Sequence, residues 1–579
     1  MPIFNYQDHE TLGKVISVDT GVVIIEVSDL EKLKRLQVNR LVVLQSSKAE
    51  QYLIGLIQKL MRKKIFDEEL EEEEFKEENL CKITLIGTFK NREGTQENVF
   101  RRTLETVPEI DANCFALEDD KLTSFMRVIS QSSGEGNALS IGNYTLDENA
   151  RAYINGNKLF QRHAFIGGST GSGKSWTTAK IIEQMAQLEN VNSIIFDLHG
   201  EYKPLQSIDN IEYFKIAGPS DIEQEKGIED NVLYIPYWLL SYEALVSMFV
   251  DRSDQNAPNQ SMIIAREIRN AKEAYLTSKS ETEILKNFTI DSPIPFDLGG
   301  LLTTLNVINS EMVPGAAPRK EKMGDFNGKL SRMISRLENK ISDRRLGFLF
   351  QGGADVMEFE WLNKLVKTTI GVKLENEKAG IKIIDFSEVP SDILPLIVSL
   401  IARLSFSVQQ WTESSKRHPI ALLCDEAHLY IPDKNNSNSS DEISLKIFER
   451  IAKEGRKYGV SLVVISQRPS EVNRTVLSQC SNFIAMRLTN TDDQMVIKKL
   501  LPDNLGGFGD ILPILDTGEA LVVGDASLLP SRIRVDKPTI TPDSGTIEFW
   551  DEWQIATDPT RLDSAIENWR KQSIQVISV

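Results

Sequence analysis

The chain has few of the residues that would place it outside the cell or in a membrane. Only four cysteines occur in 579 residues, at Cys81, Cys114, Cys424 and Cys480; they are scattered and form no CxxC pair. With five histidines and no ligand spacing between the two residue types, neither a disulfide framework nor a zinc site is indicated. No apolar run reaches the roughly 18 residues that a membrane helix needs. The first residues, Met1-Pro2-Ile3-Phe4-Asn5, have neither the basic start nor the apolar core of a secretory signal. The expectation is a soluble, cytoplasmic protein with reduced thiols. Positive charge is also in deficit: 66 Lys+Arg against 84 Asp+Glu gives −18, so a surface that coats nucleic acid all over is excluded, while a local basic channel is not. Part of the deficit lies in one run, 67–78, with eight Glu and one Asp, which reads as a solvated loop or helix face or as a contact for a basic partner. No helix-turn-helix, zinc-finger or RNP signature is visible.

What is present is a nucleoside-triphosphate cradle. Gly168-Ser169-Thr170-Gly171-Ser172-Gly173-Lys174-Ser175 follows the apolar run Ala164-Phe165-Ile166 and precedes a helix-patterned segment from Trp176 to Leu188. Glycines let backbone N–H groups turn in around phosphates, Lys174 reaches the β and γ oxygens, Ser175 offers a hydroxyl to Mg²⁺, and the helix presents its positive end. We therefore assign 168–175 together with Trp176 to nucleotide binding, with ATP and Mg²⁺ as cofactors.

Three further elements follow in order. Pro419-Ile-Ala-Leu-Leu-Cys-Asp425-Glu426-Ala-His428 reads as a buried strand that delivers two carboxylates at its C-terminal end, where open α/β sheets bind ligands. Asp425 suits the metal shell beside Ser175, and Glu426 suits a base that orients and deprotonates water. Asp197-Leu-His199-Gly200-Glu201-Tyr202 ends another strand; its groups either face the metal, the water or a neighbouring subunit, or Asp197 acts as a cap. Ile451-Ala-Lys-Glu-Gly455-Arg456-Lys457-Tyr-Gly459 leads into a strand that ends at Ser466-Gln467, polar groups able to sense a γ-phosphate. Arg450, Arg456 and Lys457 either complement a helix C-terminus or supply an arginine to transition-state charge, often across a subunit boundary.

The fold class these patterns predict is α/β. Short strand-like patches at 13–18, 22–27, 40–45, 52–57 and 82–88 suggest a small N-terminal β-barrel over 1–110. A connector over 111–160 leads into the core. Apolar runs at 163–166, 193–197, 381–385, 420–424, 460–466, 483–487 and 520–523 alternate with helical patterns, as in a parallel-rich sheet spanning 161–204 and 376–540. A helical insertion is expected over 205–375. The segment 541–579 carries Trp550, Trp553 and Trp569 and is expected to pack on its own or a neighbouring subunit. An Asn/Ser-rich stretch at 433–441 reads as a loop, and 318–322 and Arg344-Arg345 read chiefly as solvated charge.

With these motifs placed, the chain resembles the HerA family of hexameric DNA-translocating ATPases, relatives of the FtsK pumps. The resemblance rests on Gly168–Ser175, Asp197-Leu-His-Gly-Glu-Tyr202, Cys424-Asp-Glu-Ala-His428, Ala452-Lys-Glu-Gly-Arg-Lys-Tyr-Gly459, Ser466-Gln-Arg-Pro-Ser470 and Thr517-Gly-Glu-Ala-Leu-Val-Val-Gly-Asp525. It implies a RecA-like P-loop core and the following roles: Lys174 and Ser175 on ATP and Mg²⁺, Asp425 on the metal, Glu426 as catalytic base, Gln467 as γ-phosphate sensor. Arg456 is the first choice for a trans-acting arginine, Arg162 the second and Arg450 the third; the 433–441 stretch is longer than the family's usual pattern. The resemblance further implies a homohexameric double-stranded DNA translocase or helicase with a separate effector on the barrel face. A NurA-like nuclease or a sirtuin-like NAD-consuming enzyme would fit, in DNA processing or antiphage defence, with no membrane involved. The alternative is an ATP-binding ring scaffold that regulates an effector with little DNA pumping.

Overall fold

The structure, a computed structural model of the chain, describes residues 3–66, 75–94, 96–130, 138–314, 321–372, 379–434, 439–500, 509–545, 547–557 and 561–571. The acidic run at 67–78, the basic 318–322 and the Asn/Ser-rich 433–441 therefore lie wholly or partly outside the described residues.

In chain order the strands are β1 (Thr11–Asp19), β2 (Val22–Glu26), β3 (Leu41–Gln45), β4 (Gln51–Phe66), β5 (Phe75–Glu93), β6 (Gln96–Arg101), β7 (Asn113–Ala116), β8 (Ala138–Tyr144), β9 (Asp147–Asn155) and β10 (Ala164–Gly167). They continue with β11 (Ser193–Asp197), β12 (Ile211–Ile216), β13 (Val232–Leu233), β14 (Met312–Pro314), β15 (Glu321–Met323), β16 (Ile381–Asp385), β17 (Ile420–Cys424) and β18 (Val460–Ser466). The last are β19 (Asn482–Ala485), β20 (Glu519–Gly524) and β21 (Ser531–Val535). The chain divides into two compact units, Met1–Gln184 with Ser481–Lys537, and Met185–Cys480 with Pro538–Val579.

The first unit opens with a closed six-stranded barrel. β1 pairs with β2 and β7, β7 with β3, β3 with β4, β4 with β5, and β5 returns to β2, so the ring of antiparallel ladders has no free edge; β6 is added on β5. Alternation drives this, because every second side chain points inward. Val15, Val23, Ile25, Val42, Leu44, Leu53, Ile57, Cys81 and Ile83 are all fully buried in the lumen. At Gly13 the strands approach so closely that a Cβ would stand 2.2 Å from the Glu26 carbonyl oxygen, so glycine is required there. Arg102, just past β6, donates to the carbonyls of Leu528 (2.8 Å), Gly524 (3.0 Å) and Ser527 (3.3 Å), binding the barrel's exit to the loop after β20. The rest of this unit is the ladder β10-β19-β20-β21-β8-β9, parallel between β10 and β19 and antiparallel from there on.

The second unit holds the ladder β13-β12-β16-β11-β17-β18, parallel throughout. Every residue of β11, β17 and β18 is buried, which explains their predominantly apolar sequence. The helix Leu394–Trp411 packs against the helix Ser439–Tyr458, and its long buried stripe is equally apolar. Inside the segment expected to be helical, β12 is a strand parallel to β16. Ile211-Glu-Tyr-Phe-Lys-Ile216 buries Ile211, Phe214 and Ile216, a short strand pattern that the longer helices beyond it obscure. Those helices include Tyr242–Phe249, Ala257–Ser278, Leu298–Ser310 and Ser331–Ser342. No helix among the described residues is long and apolar enough to cross a membrane.

All four cysteines are unpaired and buried. Burial pushes the Cys81 and Cys480 thiols up to about 12 and raises Cys114 and Cys424 as well. The native chain should therefore give almost no colour with a chromogenic thiol reagent over minutes, and all four thiols should react once denaturant is added.

Candidate functional site: a nucleotide cradle and a cluster of buried carboxylates

In the first unit, β10 ends in the glycine-rich loop and the helix Lys174–Ala186 begins at its last residues. Gly171 (φ 73°) and Gly173 (φ 104°) take backbone conformations that side chains rarely adopt. A Cβ at Gly171 would meet nothing within 4 Å, whereas one at Gly173 would stand 3.0 Å from the Met486 side chain. The loop is therefore an open concavity of backbone, closed on its outer side. The Ser169 N–H donates to the Arg487 carbonyl (2.8 Å), and the Gly518 N–H donates to the Ser172 carbonyl (2.9 Å). Thr517 Oγ1 reaches the Gly171 carbonyl at 3.3 Å. The turn before β20 and the end of β19 thus hold the cradle from behind, so the Thr517-Gly518-Glu519 motif has a local structural reason. Lys174 is buried, and Trp176 lies beneath the Lys537 ammonium, 5.7 Å from its ring centre. These residues fit a polyphosphate: a backbone concavity at a helix N-terminus, with a lysine at its base.

Arg162 ends the short helix Gly156–Gln161 and is ion-paired with Asp525 at 2.5 Å. Asn482 is the hub behind it. Its amide donates to the carbonyls of Lys158, Leu159 and His163 and its oxygen accepts from Ala526 N–H, which anchors the start of β10 against the loop after β20.

In the second unit three neighbouring parallel strands, β16, β11 and β17, each bring a carboxylate to the C-terminal end: Asp385, Asp197 and, one residue past β17, Asp425. Asp197 is fully buried and accepts from the N–H groups of Tyr202 (2.9 Å), Glu201 (3.1 Å) and His199 (3.3 Å). Asp197 thus caps its own loop and not a helix, since the 3₁₀ helix Lys203–Ser207 that follows has Tyr202 at its N-cap, and His199 is left exposed. Burial, with Asp385 and Asp425 nearby, pushes the Asp197 carboxyl up to about 7, against the opposing pull of those N–H donors. Among the described residues no group of three or more His, Cys, Asp or Glu side chains is placed to hold a metal ion by itself. Asp385 accepts from Tyr213 Oη at 2.5 Å, a pair that the sequence reading did not single out. The sequence shows only that Asp385 ends an apolar run, as Asp197 does; their shared register appears in the structure.

Glu426 follows at φ 43°, ψ 44°, the left-handed region, and is 3% exposed. A non-glycine residue held there stores strain on the order of 1–3 kcal/mol and is tolerated where the surroundings fix it. Gln467, one residue past β18, donates from Nε2 to Glu426 Oε1 at 2.7 Å. The two arginines on the helix Ser439–Tyr458 differ. Arg450 stacks over Phe406 (4.7 Å to the ring centre) and reaches Gln410 and Glu454. Arg456 is exposed and makes no ion pair among the described residues.

The strand, glycine-rich loop and helix that form the nucleotide cradle are those of a P-loop ATPase, and the chain is an ATP hydrolase. The family model "Helicase HerA, central domain" matches residues 139–405. The DNA double-strand break repair helicase HerA of Sulfolobus acidocaldarius is 26% identical over 414 residues, 70% of this chain and 71% of that one. Its counterpart in Pyrococcus furiosus is 26% identical over 69% of each chain. A probable helicase of Methanocaldococcus jannaschii is 24% identical over 97% of this chain and 91% of its own. The solved conjugative coupling protein TrwB covers 73% of this chain at 12% identity with a TM-score of 0.45, so the fold rests on the strand order given above. The chain is thus similar to the HerA helicases, with that family's central domain matched over residues 139–405.

The raised Asp197 carboxyl has a stability consequence. The fold favours its protonated form, so its contribution is greatest in acid and is lost as pH rises from about 4 to about 7. Asp197→Asn should gain thermal stability relative to the parent across that window, with the difference in Tm larger at pH 8 than at pH 4. An unchanged difference in Tm between those two pH values would contradict the assignment.

Proposed function

We propose that the chain is an ATP-driven double-stranded DNA translocase or helicase that works in the cytoplasm as a homohexameric ring. The observation that carries this is the 2.7 Å bond between Gln467 and Glu426, because it joins a nucleotide-sensing position to the hydrolytic base on adjacent strand ends. A motor needs that link, since each change at the γ-phosphate must alter the catalytic state. In this reading the backbone of 168–173 and Lys174 hold the phosphates of ATP, Trp176 borders the nucleoside, and Ser175 and Asp425 hold Mg²⁺, which neutralises charge on the phosphates. Glu426 orients and deprotonates the attacking water, and Gln467 responds to the γ-phosphate.

Arg456 is our choice for the arginine given to a neighbouring subunit's nucleotide. Its guanidinium is exposed and makes no ion pair among the described residues, whereas Arg162 must leave Asp525 and Arg450 must leave Phe406 to serve. The tail supports assembly. Trp550 and Trp553 are 78% and 74% exposed in the single chain, and a neighbouring subunit would remove that apolar surface from water. DNA as the track comes from the HerA helicases that this chain resembles, and a few cations per subunit suffice when repeated around a pore. The barrel face is our proposed dock for a separate effector of the NurA-like nuclease or sirtuin-like kind, in DNA processing or antiphage defence.

Two measurements test this. Purified chain should show ATPase activity stimulated by duplex DNA and should displace a protein roadblock in one direction, both lost in Glu426→Gln. Effector activity that survives intact in Glu426→Gln, with no roadblock displacement by the parent, would favour the scaffold instead. Arg456→Ala should bind ATP nearly normally and hydrolyse it at least about tenfold more slowly. Mixed with Glu426→Gln chains it should recover part of the lost rate, and no recovery would remove the trans role.

A further inference from the structure

Two residues past β21 stands Lys537, and the backbone that carries it is fixed from two sides. The Val535 N–H donates to the Gly518 carbonyl at 2.8 Å, and the N–H of the same glycine donates to the Ser172 carbonyl, so strand and cradle are joined through one residue. The Asp536 N–H donates to the Ile141 carbonyl at 2.8 Å, and its carboxylate accepts two bonds from Arg151 on β9, at 3.1 and 2.5 Å. Lys537 is thereby kept beside the phosphate loop. Its ammonium lies 5.7 Å from the centre of the Trp176 ring, a cation–π contact, and Trp176 is the third residue of the helix Lys174–Ala186.

The pairing of charges sets this lysine apart. Arg532 and Arg534 on β21 are neutralised by Glu519, at 2.6 and 3.2 Å, and Arg151 is neutralised by Asp536. Lys537 is exposed, and among the described residues no carboxylate pairs with it and no hydrogen bond engages it. An ammonium of that kind, held beside the first turn of a phosphate-binding helix, suits an anion. Lys174 is assigned to the β and γ oxygens. The α-phosphate, which joins them to the nucleoside that Trp176 borders, has no side-chain cation assigned to it.

We propose that Lys537 is a further nucleotide-binding residue, its ammonium engaging the α-phosphate. The proposal rests on the reading of 168–176 as the nucleotide cradle. A lysine free in water samples many rotamers and loses that freedom on binding. The indole face restrains the ammonium near the helix start beforehand, so less freedom remains to be lost. A cation–π contact at an exposed site is also weaker than a charge-assisted hydrogen bond to phosphate, so the ring holds the ammonium without keeping it from the ligand. Since ADP and ATP both carry the α-phosphate, Lys537 acts in binding and leaves the chemistry at the γ-phosphate to Glu426 and Gln467.

The test is calorimetric titration of the full-length chain and of Lys537→Ala, Lys537→Gln and Lys174→Ala with ADP and, separately, with pyrophosphate, both in Mg²⁺. Pyrophosphate has no nucleoside and can be held by the loop and Lys174 alone. Each Lys537 variant should weaken ADP binding about tenfold, the worth of one charge-assisted hydrogen bond, and change pyrophosphate binding by less than about twofold. ADP affinity within about twofold of the parent in both variants overturns the proposal. So does an equal loss for pyrophosphate, which would make Lys537 a general attractor of anions. Lys174→Ala separates the two layers: parental ADP affinity there overturns the cradle itself, whereas ADP weakened there beside unaffected Lys537 variants overturns only the role of Lys537.

Discussion

Everything in the second unit is arranged around the cost of burying several carboxylates together. Asp385, Asp197 and Asp425 sit at or just past the same edge of three adjacent parallel strands, and ionised acids in such a place repel one another in a medium that screens poorly. The fold meets this with donors: Tyr213 on Asp385, three backbone N–H groups on Asp197, and Gln467 on Glu426. Each donor also fixes a direction. The arrangement that makes the charges tolerable therefore also orients them.

In the first unit the governing constraint is backbone curvature. A loop that turns N–H groups inward cannot satisfy its carbonyls alone, and the turn at Thr517-Gly518 donates to those of Gly171 and Ser172 from far along the chain, while the Arg487 carbonyl past β19 accepts the Ser169 N–H. The ladder from β19 to β9 also explains why β20 and β21, which carry no catalytic residue, are needed. They set the position of the turn that backs the cradle and of Asp525, the partner of Arg162.

Much of this was legible in the sequence, because the strongest signals are short and local. The glycine pattern before Lys174, the apolar strand ending in Asp425-Glu426 and the alternation that closes the barrel all act over fewer than about ten residues. Pairings across long separations were not legible. Nothing near Asp197 announces that Asp385 lies beside it, or that Tyr213 will donate to Asp385 across 172 positions. β12 was hidden by the longer helical patterns after it. Asp197 was readable as a cap or a ligand, and only the three N–H distances favour the cap. Arg456, Arg162 and Arg450 were ranked in that order from motif position, and the structure adds their partners: no ion pair among the described residues for Arg456, the Asp525 carboxylate for Arg162, and the Phe406 ring with Glu454 for Arg450.

The discontinuous first unit also has a history in time. All six barrel strands lie between Thr11 and Glu93 or in Asn113–Ala116, so the barrel can close soon after it leaves the ribosome. β10 cannot be completed then, since its parallel partner starts at Asn482, about 300 residues later. At typical synthesis rates the phosphate loop spends roughly 15–60 s without the strand and turn that hold it. A nascent chain can therefore close its barrel well before it can complete the sheet around the phosphate loop.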